Sequence, residues 1–202
     1  MSRGWYIALE GPEGCGKSTQ AAALASALDA VLTRETGGTE IGLRIREILH
    51  DVDTTGLAPE AEALLTAADR AQHLAEVVEP ALAAGRHVVS DRSVYSALAY
   101  QGYGRELDVD EVRRINDWAV GGRWPDLVVL LDADPDVLAA RIAGRELDRF
   151  EREGEAFHAR VAAGFRAMAA ADPERWVTID AGAPVDDVGA AVLAAVRQRL
   201  PG

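Results

Sequence analysis

Gly11-Pro12-Glu13-Gly14-Cys15-Gly16-Lys17-Ser18 is the stretch that decides how this chain reads. It fills every fixed position of G-x-x-x-x-G-K-[ST]. Before it stands the apolar run Trp5-Tyr6-Ile7-Ala8-Leu9, and after it Thr19-Gln20-Ala21-Ala22-Ala23-Leu24 reads as helix. A strand entering and a helix leaving is the context the loop needs. Its glycines let backbone N–H groups curl around phosphates, and the helix N-terminus adds a favourable dipole. Lys17 is then placed to reach β- and γ-phosphates, and the Ser18 hydroxyl to help hold Mg²⁺. Lys17 is the single lysine among 21 basic residues, the rest being arginine. A glycine-rich turn with a stray lysine is the plainer alternative, and motif and flanks together argue against it. The implied ligand is a nucleoside triphosphate, bound through Gly11, Pro12, Glu13, Gly14, Cys15, Gly16, Lys17, Ser18 and Thr19.

The 202 residues fit one domain spanning 1–202, long enough for a substantial core. Hydrophobic residues make up 49% and charged residues 27%, as in soluble globular chains. A net charge of -12 argues against a non-specific grip on nucleic acid or anionic lipid. A small anionic substrate stays open, because local arginines can reverse the field inside a pocket. Cys15 is the only cysteine, which rules out an intrachain disulfide and reads as a small filler in the loop. Met1-Ser2-Arg3-Gly4 leads directly into the first apolar run, with no signal peptide and no apolar run near eighteen residues. A cytoplasmic location is the expectation.

Short apolar runs alternate with helical patterns, which predicts a parallel sheet with crossover helices. Strands are expected at Trp5–Leu9, Ala30–Thr33, His87–Ser90, Leu127–Leu131 and Trp176–Ile179. Helices are expected near Ser18–Leu28, Glu40–Leu49, Pro59–Ala84, Asp110–Ala119, Pro135–Ile142, Glu155–Ala171 and Val185–Leu200. Asp108-x-x-Glu111 reads as a capping box and Asp134-Pro135 as a cap followed by proline at the first helical position. Pro80 should kink or divide the long third stretch.

Beyond the loop, Val88-Val89-Ser90-Asp91-Arg92-Ser93 is an apolar strand ending in an acid and a base. Ligands gather at that end of a parallel sheet. Asp91 could support Mg²⁺ or its water shell and Arg92 could clamp a second phosphate; a surface ion pair is the alternative. Asp132-Ala133-Asp134 ends another strand. There Asp134-Pro135-Asp136 is better read as a helix start, and Asp132 stays ambiguous. Arg141, Arg145 and Arg149 recur every four residues, which on a helix would put three like charges on one face. Such a face suits an anion, although Glu146, Asp148 and Glu151 would equally well make it a solvated helix. Gly144 offers a hinge for a lid at about 141–153. Arg70, on the long helix, could reach a substrate phosphate or simply be exposed, and His73 has no evident partner. Tyr100, in Ser96-Ala97-Leu98-Ala99-Tyr100-Gln101-Gly102, could face a sugar or base, or pack in a core.

Together these segments resemble the bacterial thymidylate kinases, a nucleoside-monophosphate kinase family. The resemblance runs from Trp5 to about Asp180. It rests on the loop, then Thr33-Arg34-Glu35-Thr36-Gly37-Gly38-Thr39, Ala67-Ala68-Asp69-Arg70, Asp91-Arg92, Ala99-Tyr100-Gln101-Gly102 and Leu147-Asp148-Arg149-Phe150-Glu151, in that order. It implies an α/β P-loop NTPase fold with a five-stranded parallel sheet, Mg-ATP as donor, a homodimer, and conversion of dTMP to dTDP for dTTP synthesis. It also implies acceptor contacts from Glu13, Arg70, Asp91, Arg92, Tyr100 and Gln101, and metal support from Ser18 and Asp91. Lys17, Arg92 and a lid arginine, Arg145 or Arg149, would carry the catalysis. Relatives often have proline where this chain has Thr36, phenylalanine where it has Thr66, and an aromatic or histidine where it has Ser93. These departures fall on the acceptor side. A same-fold kinase with another acceptor therefore stays open, as does a nucleotide-dependent switch protein, against which the lid arginines and Asp91-Arg92 argue.

Overall fold

The computed structural model describes residues 3–200. Met1 and Ser2, read above as leading straight into the first strand, lie outside the described residues. Five strands, β1 (Tyr6–Glu10), β2 (Val31–Arg34), β3 (Val88–Asp91), β4 (Leu127–Asp132) and β5 (Trp176–Asp180), form one sheet in the order β2-β3-β1-β4-β5. Every pairing is parallel. All five strands were legible as apolar runs; each ends one residue later than expected, at Glu10, Arg34, Asp91, Asp132 and Asp180, and the first three also begin one residue later. Those added residues are charged, so hydropathy alone stopped short of them.

The central strands are apolar on both sides because both faces are covered. Along β4, Val128 and Leu130 enter one core with Tyr6, Leu98, Phe165 and Trp176. Leu127, Val129 and Leu131 enter the other with Ile7, Leu9, Leu24 and Val192. The second core is closed by α1 (Lys17–Leu28) and α9 (Val185–Arg199). The first is closed by α3 (Pro59–His73), α6 (Val109–Ala119) and α8 (Glu155–Ala171), among others. The order reverses at β1, with β3 on one side and β4 on the other, so a crevice opens beyond its carboxyl end. Leu9, Asp91 and Arg34 stand abreast there.

The remaining helices are α2 (Glu40–His50), α4 (Glu79–Ala83), α5 (Val94–Ala97) and α7 (Pro135–Ile142). Asp108 caps α6 by accepting from the Asp110 and Glu111 N–H groups, and Asp134 caps α7 through Asp136. The long third stretch is divided before Pro80, as expected, by a π-helical segment at Leu74–Val78 between α3 and α4. Proline has no N–H, and its ring crowds the carbonyl four residues back; a wider turn there absorbs both effects. A second π-helical segment, Leu98–Gly104, continues α5 and carries Tyr100 and Gln101. No helix was expected at 94–104, since β-branched, aromatic and glycine residues there have poor helix propensity. Burial overrides it: Tyr95, Leu98, Ala99, Tyr100 and Gln101 are all buried.

The segment expected to form a lid differs from its sequence reading. Helix α7 ends at Ile142, and Gly144 has a φ of 80°, so 143–154 is a run of turns. Arg141, Arg145 and Arg149 therefore do not share a helix face, and the repulsion argument based on helical spacing falls.

Candidate active site

The loop between β1 and α1 takes its shape from two glycines in particular. Gly11 has a φ of 145°, and a Cβ there would lie 2.3 Å from the Leu131 carbonyl oxygen. Gly16, at the N-terminus of α1, has a φ of 89°, a conformation that disfavours L side chains even where nothing is nearby. Lys17 folds across the loop, donating from Nζ to Gly11 O at 3.0 Å and Pro12 O at 2.8 Å. Glu13, Gly14, Gly16, Lys17, Ser18 and Thr19 line a cleft enclosing about 410 Å³. Gly11 and Pro12 stand behind Lys17 and hold it, while Cys15 packs into the core beside Leu138 and Ala133.

The strand β3 delivers the next residues. Asp91 Oδ2 accepts from Ser18 Oγ at 2.5 Å, which ties the end of β3 to the start of α1. Its Oδ1 is buried without a hydrogen-bond partner. Arg92 lies at the centre of the cleft. Its guanidinium donates to Gly11 O at 3.3 Å, Ser96 Oγ at 3.2 Å and Tyr100 Oη at 3.0 Å, and pairs with Glu13. The guanidinium carbon also sits 4.9 Å from the centre of the Tyr100 ring, a cation–π contact. Tyr100 in turn donates to Glu13 at 2.8 Å. Burial alone would raise the pKa of Glu13, but Arg92, then Lys17 and the Tyr100 hydroxyl, outweigh it and hold it at about 2. Glu13 is therefore a carboxylate near neutral pH, poised between the loop lysine and Arg92.

Beneath this layer lies Glu10, the last residue of β1. It accepts from Ser93 N at 2.8 Å, Ser93 Oγ at 2.7 Å and Ser96 Oγ at 2.7 Å. Burial pushes its pKa up against Arg92 and the two serines. Ser93, one of the departures, is thus accounted for: it ties the chain after Arg92 to β1. Sequence reasoning did not single out Glu10, and a buried acid ending an apolar strand was the available signal.

Along α3, Glu62, Thr66 and Arg70 recur every four residues and are all buried. Arg70 is buried rather than exposed. Its Nε lies 2.9 Å from Glu35 Oε2, a charge contact without hydrogen-bond alignment, and its Nη2 donates to Ser93 O at 3.1 Å. His73, which had no evident partner in the sequence, is fully buried with Nδ1 2.9 Å from Glu35 and Nε2 2.6 Å from Thr33 Oγ1. Asp69 accepts from Gly37 N at 3.0 Å, anchoring the loop after β2. Burial, then the Glu35 carboxylate, push Asp69 up to about 6. The Glu35–Thr36 peptide is cis, and Arg46 donates to Thr36 O at 3.2 Å.

Arg70, Asp91, Arg92, Tyr100, Gln101 and Arg145 all line the cleft, together with Arg34, Arg46 and Arg141. Arg34 ends β2 where ligands gather, a position with no local sequence signal of a role. Arg46 carried no signal beyond lying one turn after Gly42. Burial, then the charge of Arg34, lower the pKa of Arg46, and Arg92 adds to the same repulsion. A cluster of cations in mutual repulsion is an electrostatic site for an anion.

Arg149 is placed elsewhere. Its Nη2 pairs with Glu62 at 2.6 Å, its Nε donates to Leu49 O at 2.7 Å, and its guanidinium covers Phe150. It anchors the turns of 143–154 to α2 and α3 and is not part of the cleft wall. Arg145 does face the cleft, paired with Glu151 at 2.8 Å. The ambiguous Asp132 forms a two-point pair with Arg166 of α8, at 2.7 and 3.0 Å. Among the described residues no helix is long and apolar enough to cross a membrane.

A phosphate loop thus opens into the same cleft as a second cluster of cations, the geometry for bringing two anions together. Comparison with known proteins agrees with that arrangement. A family model described as "Thymidylate kinase" matches residues 9–192. A thymidylate kinase of Leifsonia xyli subsp. xyli is 49% identical over 98% of this chain and 95% of the relative. One from Exiguobacterium sp. is 43% identical over 98% of this chain and 96% of the relative. One from Synechococcus sp. (strain JA-2-3B'a(2-13)) is 48% identical over 97% and 96%. With the family's pattern matched across nearly its whole length, the chain belongs to the thymidylate kinase family.

Proposed function

We infer that this chain transfers the γ-phosphate of ATP to dTMP, releasing ADP and dTDP for dTTP synthesis. The observation that carries the reading is the shared cleft, in which Lys17 and Arg92 converge on Glu13. In the mechanism, Lys17 and the loop amides hold the donor phosphates. Arg92, with Arg70 behind it, aligns the acceptor phosphate in line. That phosphate is already an anion near neutral pH, so no strong general base is required. The lid, about 141–153 of a single domain, brings Arg145 over the transferring group and excludes water.

Mg²⁺ fits the Ser18–Asp91 pair. The Asp91 Oδ1 is buried without a partner, and the Ser18 hydroxyl lies beside the same carboxylate. Among the described residues no group of three His, Cys, Asp or Glu could hold an ion alone, so nucleotide phosphates and water would complete its shell. Ser18 and Asp91 would hold the ion where it would supply neutralisation of charge on the donor phosphates. The reading also places the protein in the cytoplasm, where its nucleotides are.

Steady-state assays with Mg-ATP and dTMP, dUMP, dCMP, UMP, AMP or dGMP test the acceptor. The expected outcome is dTMP as the preferred acceptor; rapid turnover of a purine nucleotide with little of dTMP would overturn the assignment. Arg145→Ala should lower kcat about a hundredfold with little change in KM. Arg149→Ala should act mainly on stability, by about 1–2 kcal/mol, because it strips one donor from buried Glu62. The reverse ranking of the two in kcat would transfer the lid role to Arg149.

The functional unit is a homodimer, in which a second copy covers the face shared by α3 and α6. Trp118 is 86% and Leu64 56% exposed there, beside a groove lined by Ala67, Ala68, Ala71 and Ile115. Sedimentation equilibrium should give twice the 21.5 kDa chain mass, and Trp118→Glu should halve it. A monomeric parent protein at micromolar concentration contradicts the dimer.

A further inference from the structure

Glu62 is a buried carboxylate that the chemistry above does not use. It receives Gln101 Nε2 at 2.9 Å, Arg105 Nε and Nη2 at 3.1 Å each, and Arg149 Nη2 at 2.6 Å. Burial works against its charge, but Arg105, Gln101 and Arg149 outweigh burial and hold its pKa below the usual carboxylate range. An ionised carboxylate can only accept hydrogen bonds. The Gln101 amide therefore has one permitted orientation, with its NH₂ toward Glu62. No donor among the described residues reaches Gln101 Oε1, and the side chain lines the cleft. What Gln101 can offer a ligand is thus a bare carbonyl oxygen, an acceptor.

Two turns along the same face of α3 stands Arg70, which can only donate. Between them Thr66 donates its hydroxyl to the Ala63 carbonyl at 2.8 Å and so is committed to its own helix. The cleft wall reads as acceptor, small side chain, donor. That order complements an imide edge, in which a ring N–H lies beside a carbonyl. It opposes a cytosine-type edge, where the ring nitrogen accepts and the exocyclic amine donates; both contacts would then be mismatched.

We propose that Glu62 is a specificity-positioning residue, which selects imide bases by locking the Gln101 carbonyl toward the acceptor base. The proposal rests on the transfer to dTMP inferred above. It replaces discrimination by aromatic stacking, which Thr66 cannot provide, with discrimination by hydrogen-bond polarity.

The test compares dTMP with 5-methyl-dCMP, which keeps the methyl group and the shape and reverses the edge. For the parent enzyme, kcat/KM should favour dTMP by at least about 10²-fold. In Glu62→Gln the new amide can donate to Gln101 Oε1, so the glutamine is free to turn. The dTMP to 5-methyl-dCMP ratio should then fall about tenfold or more, with the KM for ATP unchanged. Arg145→Ala serves as the comparison, because Arg145 pairs with Glu151 rather than Glu62, so its loss should slow both acceptors equally and leave the ratio intact. A ratio unaltered in Glu62→Gln, or a fall of equal size in Arg145→Ala, overturns the proposal. So does a parent enzyme that does not discriminate, a result independent of whether the variant folds. Should the parent form no dTDP from dTMP at all, the functional reading fails instead.

Discussion

Lys17→Ala is expected to lower ADP release by about 10³-fold or more while leaving the protein folded. The Lys17 Nζ rests on two neutral carbonyls, Gly11 O and Pro12 O. A triphosphate would exchange those acceptors for anionic ones, and charge-assisted hydrogen bonds are roughly twice as strong. Arginine is no substitute, since its planar fork cannot occupy the compact position between the loop carbonyls. Losing the ammonium leaves Pro12 O without that donor, a cost of about 1 kcal/mol, or about 2–4 °C in Tm for a domain of this size. A coupled assay for ADP together with a melting curve separates the two effects. Near-normal turnover in a folded variant would end the assignment. Because Lys17 is the chain's one lysine, amine acylation offers a check without mutation. Acylation of Lys17 should inactivate the enzyme, and Mg-ATP should protect it.

How much of this was readable beforehand depended on whether a residue's role was local. The loop, all five strands and the caps at Asp108 and Asp134 depend on near neighbours in sequence, and the structure contains each of them. Helix 94–104 was missed because its propensity is poor and its burial, which decides, comes from α8 and the sheet. The shared helix face expected for Arg141, Arg145 and Arg149 failed for a related reason. Four-residue spacing implies one face only where the backbone stays helical, and Gly144 ends that condition. His73 seemed partnerless because its partners, Glu35 and Thr33, lie 38 and 40 residues away. Arg34 and Arg46 meet in the cleft only through the β2–α2 connection. Such non-local pairs leave no periodic trace, so a carboxylate like Glu62 looks like one more charge on a helix.

Arg92 tests whether backbone strain at the site serves function, and its two smallest replacements give different answers. Its φ is 71°, a left-handed conformation that costs an L residue about 1–2 kcal/mol. The conformation is held by Arg92 N to Leu9 O at 2.9 Å and by Ser90 Oγ donating to Arg92 O at 2.7 Å. Glu10 fixes Ser93 and Ser96 on the far side. The chain thus turns sharply out of β3 and carries the guanidinium back over the loop, where it can meet Gly11 O and Glu13 together. Arg92→Ala and Arg92→Gly should both lose about 10²–10³-fold in kcat/KM for dTMP, since each removes the clamp. Their stabilities should differ. Glycine relieves the strained φ but gains about 0.4–1 kcal/mol of unfolded-state freedom, leaving it ahead of alanine by about 1 kcal/mol. That difference corresponds to a Tm about 2–4 °C higher for Arg92→Gly. Equal melting temperatures would mean that the strain at this turn is no larger than the unfolded-state freedom glycine gains. If instead either variant phosphorylates dTMP at a normal rate, the acceptor phosphate is held elsewhere, and the Arg34–Arg46 pair becomes the place to look.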